Sequence, residues 1–434
     1  TVSNLIAMPY TAVTIVEVVY KEQTVGATIL DPRSGYYAFE YDRAWLTQNI
    51  ALSPLAMPNR RGPRVFPQLP IATYQRLPPM LADGLPDDFG NTLITAYLAR
   101  EGVASSKITP LDRLAYLGGR AMGALEFLPP TGPDTNDQTA FAMSKLVQEA
   151  RKAVEGSFGT PEDATSGIHH LLQVGTSAGG ARPKAVIALN DKTGEIRSGQ
   201  VATPDGFEHW MLKFDGVGSD FELGDTGSYG RIEYAYHLMA IAAGIDMTEC
   251  RLLEEGGRAH FMTRRFDRPL DGSKIHIQTL CAMAELDFRV RDVHDYAQFI
   301  GAANELDLGA GTREKVFRRA VFNIAVANCD DHTKNHAFAL DDSGAWSLAP
   351  AYDVTHAHNP VGEWTSRHLM GVDGLFYDAD RSHLLRFADR FEIPNPRLVI
   401  DEVNAAVGSW SEFAQKAGLP DVPTRHVAND LRKL

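Results

Sequence analysis

Asn328-Cys329-Asp330-Asp331-His332-Thr333-Lys334-Asn335-His336-Ala337-Phe338-Ala339-Leu340, followed by Tyr352-Asp353, is the most informative segment of the chain. Just before it, Val316, Ala320 and Ile324, with Phe317, Val321 and Ala325, recur at helical spacing and predict an amphipathic helix that stops at Asn328-Cys329. A polar loop, Asp330 to Asn335, comes next. The alternation from His336 to Leu340 predicts a strand, Asp341-Asp342-Ser343-Gly344 a turn, and Trp346 to Ala349 a second strand that ends near Tyr352-Asp353. The segment therefore reads as helix, acidic loop, hairpin and a second acidic position.

That order has a chemical meaning. Phosphoryl transfer needs a carboxylate beside the attacking hydroxyl and oxygen ligands for Mg²⁺ on the phosphates. Protein kinases place an Asp and, five residues on, an Asn in one loop, with a metal-binding Asp after the next hairpin. Asp330 and Asn335 have that spacing, and Asp353 occupies the later position. Asp331 is a rival base, one residue too close to Asn335. Lys334 has the charge to neutralise a phosphate oxygen. Two other readings use the same residues: a polar capping loop before an ordinary hairpin, and a zinc site drawn from His332, His336, His356 and His358. For the latter, no strict ligand pair lies on one helix face.

Upstream, Trp210-Met211-Leu212-Lys213-Phe214 predicts a half-buried strand presenting Lys213, and Glu233 opens a helix over Ile232–Ala243 that could pair with it. Gly175-Thr176-Ser177-Ala178-Gly179-Gly180-Ala181-Arg182-Pro183-Lys184 precedes the strand Ala185–Leu189. Its glycines let backbone approach phosphates, and Arg182 and Lys184 add positive charge. It is not a P-loop, because no Gly-Lys-Ser/Thr ends it and no helix follows. A plain glycine-rich hairpin fits it as well.

The remaining sequence sets bounds. The 434 residues are 44% hydrophobic and 22% charged, enough for a multi-lobed globular body. Residues 11–45 are β-rich, Pro54 to Pro79 is proline-rich loop, short helices follow near Phe89–Ala99 and Leu111–Leu117, and Pro129 to Asp137 reads as a linker. Strands dominate from about 170 to 268, and helices after Pro269. With 42 basic and 55 acidic residues the net charge is −13, which repels phosphate backbones and leaves any DNA contact to a basic partner. No stretch has the length of a membrane span, and Thr1 to Val16 lacks the basic start of a secretory signal. Three cysteines, Cys250, Cys281 and Cys329, without metal-site spacing, fit a reduced, cytoplasmic protein.

Taken in order, these pieces resemble the HipA family of bacterial toxin kinases. Ser177 to Lys184 is similar to the family's Ser-x-x-Gly-x-x-x-Lys loop, Arg265-Phe266-Asp267-Arg268 to its Arg-Phe-Asp-Arg hinge, Asp330 to Asn335 to its Asp-x-His-x-Lys-Asn loop, and Tyr352-Asp353 to its Tyr-Asp metal motif. Leu81 to Asp87 and Leu117 to Ala124 resemble its N-subdomain. The likeness runs from about residue 15 to 415.

The resemblance implies an α+β, bilobal kinase-like fold. Its parts would be a β-rich N-subdomain with short helices (1–128), a mixed α/β nucleotide-binding lobe (129–268) and an all-helical C-terminal catalytic lobe (269–434). It implies Asp330 as base and Asn335 and Asp353 as Mg²⁺ ligands. ATP contacts would come from Gly179, Gly180, Ala181, Arg182, Pro183, Lys184, Lys213, Arg264, Arg265, Phe266, His332, Thr333, Lys334, Asn335, Tyr352 and Asp353, and Ser177 would be the inhibitory autophosphorylation site. It further implies a protein Ser/Thr substrate, such as an aminoacyl-tRNA synthetase or another translation component. A small helix-turn-helix antitoxin of HipB type would carry any operator-DNA contact. The alternative is an antitoxin-associated co-repressor with weak or no kinase activity. Arg264 stands where an acidic residue is frequent in the family, and Asp331 where glycine is common.

Overall fold

The computed structural model describes residues 10–132, 140–155, 183–201, 203–217 and 228–434, with a few positions in 167–175 and two short strands in 219–225. The chain divides into two compact units, Thr1–Gln48 with Arg60–Phe207, and Asn49–Asn59 with Glu208–Leu434.

The first unit is built on a four-stranded antiparallel sheet of β1 (Ile15–Tyr20), β2 (Gln23–Leu30), β3 (Tyr37–Tyr41) and β4 (Leu125–Leu128), in the order β3-β2-β1-β4. Val16, Val18, Val25, Phe39 and Phe127 are all fully buried, so one face of the sheet carries the core. Lys21 and Glu22 close the first hairpin with φ of +48° and +63°, the positive pair that a two-residue turn matched to strand twist requires. Helix α1 (Asp88–Arg100) starts on Asp87, which accepts from Gly90 N at 2.6 Å, and α2 (Pro110–Leu117) starts on a Thr109/Asp112 capping box. Helix α3 (Met143–Glu155) and the hairpin of β5 (Lys184–Leu189) with β6 (Ile196–Ser198) complete this unit.

The second unit opens with three antiparallel strands, β7 (Glu208–Lys213), β8 (Cys250–Glu255) and β9 (Arg258–Arg264), with β9 central. On β7, Trp210 and Leu212 are fully buried while Met211 and Lys213 are half-buried, the alternation that the sequence predicts. Helix α4 (Tyr229–Ala242) follows β7 in the chain and packs on β9. The rest is mainly helical: α5 (Tyr296–Glu305), α6 (Gly309–Ala325), α7 (Arg381–Arg390), α8 (Pro396–Gly408), α9 (Trp410–Lys416) and α10 (Asp421–Asp430). The stripe on α6 is the spine of one hydrophobic core running from Ile232 to Val427, with Val316, Phe317, Ala320, Val321, Phe322 and Ala325 wholly buried.

A small antiparallel sheet of β10 (His276–Thr279), β11 (Ala337–Leu340) and β12 (Trp346–Leu348), with β11 central, supplies the hairpin expected after the acidic loop. Residues 49–59 belong to this unit because their carbonyls and Ser53 are bound by it. His276 Nε2 lies 3.0 Å from Leu52 O, Trp346 Nε1 donates to Ala51 O at 3.0 Å, and Gln278 Nε2 donates to Ser53 Oγ at 3.0 Å. Among the described residues no helix is long and apolar enough to cross a membrane.

Candidate active site

Helix α6 ends when Ala327 turns into the left-handed region, φ +52°. The chain then pairs in parallel with the segment beyond Asp353: Asn328 bridges Ala357, Cys329 N donates to Ala357 O at 3.1 Å, and Ala357 N donates to Ala327 O at 3.2 Å. The start of the acidic loop and the chain that carries the later Asp are thereby fixed to each other.

From that anchor Asp330 and Asp331 go opposite ways. The Asp330 side chain is 47% exposed, with His332 Nε2 3.8 Å from its carboxylate. Asp331 is buried and saturated. Its Oδ1 accepts from Leu369 N (2.8 Å) and Met370 N (3.2 Å), and its Oδ2 from Tyr296 Oη (2.9 Å) and His368 Nδ1 (3.2 Å). Asn323 donates to Tyr296 Oη at 2.8 Å and Asn328 donates to Asn323 Oδ1 at 3.0 Å, extending the network under the loop. Burial alone would lower the His368 pKa, but the Asp331 charge beside it, with Cys329, carries it up to about 10. Asp331 is thus committed to holding the loop. Nothing in the local spacing could have shown this, since its partners lie 35 to 39 residues away.

Asn335 closes the loop by donating Nδ2 to Asp330 O at 2.8 Å, which leaves its amide oxygen as the atom able to coordinate a cation. Thr333 is buried, its hydroxyl donated to Leu286 O at 2.7 Å. His332 and Lys334 flank the Phe288 ring, 5.2 Å between ring centroids and 5.5 Å from ammonium to centroid. Tyr352 donates its hydroxyl to Lys334 O at 2.8 Å and faces Phe266 at 6.4 Å.

Lys213, Glu233 and Asp353, far apart in sequence, meet. Lys213 Nζ is 2.5 Å from Glu233 Oε1 and also bonds Asp353 Oδ1. Burial works against the ammonium, but the Asp353 and Glu233 charges outweigh it and raise the Lys213 pKa above its ordinary value. Asp353 itself sits at φ +56°, a conformation that a non-glycine residue holds at some cost and that Asp tolerates better than most.

Asn335, Asp353 and Tyr352 line a small, narrow pocket together with Arg319, Asn323 and Asp331. A carboxylate and an amide oxygen on one cavity suit a hard cation such as Mg²⁺, so the residues present fit the expected metal. Arg319, not singled out by the sequence, is buried there. Its Nη2 donates to Ala349 O at 2.6 Å while Nη1 has no hydrogen-bond partner among the described residues, and burial lowers its pKa to about 10.

The remaining expected residues divide. Arg265 turns its guanidinium onto buried Asp267 (2.9 and 2.6 Å) and donates its backbone N–H to His209 O at 2.9 Å, and Arg264 lies 3.7 Å from Glu208. In the first unit Pro183 is buried and Lys184 Nζ is 3.6 Å from Asp87. Ser177, Gly179, Gly180, Ala181 and Arg182 lie outside the described residues.

Residues 16–128 match the HipA N-terminal domain and residues 176–410 the HipA-like C-terminal domain. The chain belongs to the HipA family. This HipA-family chain is 25% identical over 348 residues, 74% of its length and 72% of the relative's, to the Sinorhizobium fredii (strain NBRC 101917 / NGR234) protein named "Putative kinase Y4mE". Its fold is similar, with TM-score 0.68 and 17% identity over 96% of this chain and 94% of the other, to a chain in the Shewanella oneidensis MR-1 toxin–antitoxin complex of HipA, HipB and operator DNA. The α+β HipA-like fold expected from the sequence is the fold observed, except that residues 269–434, expected to be all-helical, also carry the sheet of β10, β11 and β12. Family and relative together support a HipA-like kinase.

Proposed function

We propose that this chain is an ATP- and Mg²⁺-dependent serine/threonine protein kinase. The observation that supports it best is the convergence, in one unit, of Lys213, Glu233 and Asp353 with the Asp330–Asn335 loop. Asp330 is the carboxylate open to an incoming hydroxyl and takes its proton. Lys213, positioned by buried Glu233, places a point charge for the nucleotide phosphates. Asn335 and Asp353 hold Mg²⁺, which when bound neutralises charge on the transferring phosphoryl group. Arg264, Arg265 and Phe266 form the hinge beside the base, and His332 to Lys334 with Tyr352 complete the part of the nucleotide site that the second unit carries.

In this reading the substrate is a protein hydroxyl, on a translation component such as an aminoacyl-tRNA synthetase. A HipB-like helix-turn-helix antitoxin is the partner, and it carries the operator contact that a chain of net charge −13 is ill suited to make. Ser177 is the autophosphorylation site. A phosphate there adds about −1.5 to −2 charges to a loop whose cations, Arg182 and Lys184, serve ATP. Intact-mass measurement after incubation with Mg-ATP, with fragmentation to locate the phosphate, tests both steps. Expected are one phosphate on Ser177 in wild type, none in Asp353→Asn, and weakened ATP binding by the phosphorylated form. Phosphorylation of Asp353→Asn at the wild-type rate would reject the metal assignment.

A further inference from the structure

Away from the phosphoryl-transfer site, three histidines and a carboxylate converge where the last helix meets the chain just beyond Asp353. His426 and Asp430, four residues apart on α10, share one helix face. His356 and His358 come from the loop that follows Asp353. One ligand atom each from His356, His426 and Asp430 lie within 4.8 Å of one another. His356 Nε2 is 2.8 Å and His358 Nδ1 3.3 Å from the same Asp430 oxygen, Oδ2. His356 is buried, His358 and Asp430 are half-buried and His426 is exposed. His358 Nδ1 is itself shielded from solvent and makes no hydrogen bond among the described residues.

We propose that His356, His426 and Asp430 form a zinc site, with His358 the nearest donor for a fourth position. Imidazoles with one carboxylate are a zinc donor set, unlike the oxygen set at Asn335 and Asp353. Ligands around tetrahedral zinc stand about 3.3 Å apart, so the 2.8 and 3.3 Å contacts need little adjustment to admit the ion. A hydrogen-bonded His356–Asp430 pair would also hold α10 in place, but it uses His426 only as an edge-on ring against His356, 5.6 Å between centroids, and leaves its ring nitrogens unused among the described residues. Zinc uses one of them. It would fasten α10 to the 354–358 segment, whose Ala357 bridges Asn328 beside the acidic loop. The site stands apart from the kinase reading and neither needs the other.

The test uses the chain without a polyhistidine tag, stripped with a chelator, given zinc or cobalt and desalted. Expected are one zinc per chain by elemental analysis, tetrahedral cobalt absorption bands, and a thermal midpoint raised by zinc. His426→Ala and Asp430→Asn should lose all three, although His426→Ala, an exposed change, melts like the stripped wild type. Asp353→Asn should keep its zinc. The proposal is overturned if stripped wild type retains no zinc at micromolar concentration, if His426→Ala binds zinc as wild type does, or if Asp353→Asn loses the ion.

Discussion

Asp330 and Asp331 are chemically identical neighbours that the fold sets to different work. Asp331→Asn removes the charge facing a buried, protonated His368 and should cost about 3–5 kcal/mol in urea denaturation, whereas Asp330→Asn, half exposed, should stay within about 1 kcal/mol of wild type. The pH dependence has a definite sign. His368 has a folded pKa near 10, above its ordinary value of 6.5. Its pairing therefore contributes fully below about pH 6.5 and fades as pH rises toward 10. Denaturation midpoints between pH 7 and 10 should fall more steeply for wild type than for Asp331→Asn, and equal slopes would mean the pair is not ionised. The sequence singles out Asp330 by its distance to Asn335, and that much is legible locally. The saturation of Asp331 is not, because Tyr296, His368 and Leu369 approach it only through tertiary packing. The same holds for Arg265, whose guanidinium is taken up by Asp267, and for Arg319, a helix residue without any local signal of the pocket it lines.

At the scale of elements, the strand Glu208–Lys213, the helix Tyr229–Ala242 and the hairpin of β11 and β12 all lie within a few residues of where the sequence predicts them. Alternation of Trp210 and Leu212 against Met211 and Lys213, and the periodic apolar face of the helix, are signals carried by the elements themselves. The 49–59 segment was opaque for the opposite reason. Its place is set by bonds to His276, Gln278 and Trp346, more than 200 residues along the chain, and its own composition reads only as loop. The Lys213–Glu233 contact joins two of these elements and supports a prediction about both. Lys213→Ala leaves Glu233 buried without its cation, so it should destabilise the fold by about 3 kcal/mol. It should also weaken Mg-ATP binding at least about tenfold, through loss of the phosphate-facing charge. Calorimetric titration alongside urea unfolding separates the two effects. Unchanged ATP affinity in folded Lys213→Ala would place the nucleotide elsewhere.

Across the whole molecule, acid should act through histidines that the fold keeps neutral. Burial lowers the pKa of His260 and His276 to about 4 and that of His336 to about 3. The unfolded chain binds these protons first, so stability should fall as pH drops below about 6.5 and continue falling toward 4. A urea midpoint that stays level from pH 7 to 5 would show these rings to be solvated instead. The family match spans both units, whereas the residues proposed for phosphoryl transfer, Asp330, Asn335, Asp353 and Lys213, all lie in the second. The most direct test is a comparison of γ-phosphate transfer from ATP to Ser/Thr acceptors, Ser177 included, by wild type, Asp330→Asn and Asp353→Asn, each verified as folded by circular dichroism. The expected result is transfer by wild type that depends on Mg²⁺ and falls by at least about 100-fold in either variant, while transfer by folded Asp330→Asn at the wild-type rate would contradict it.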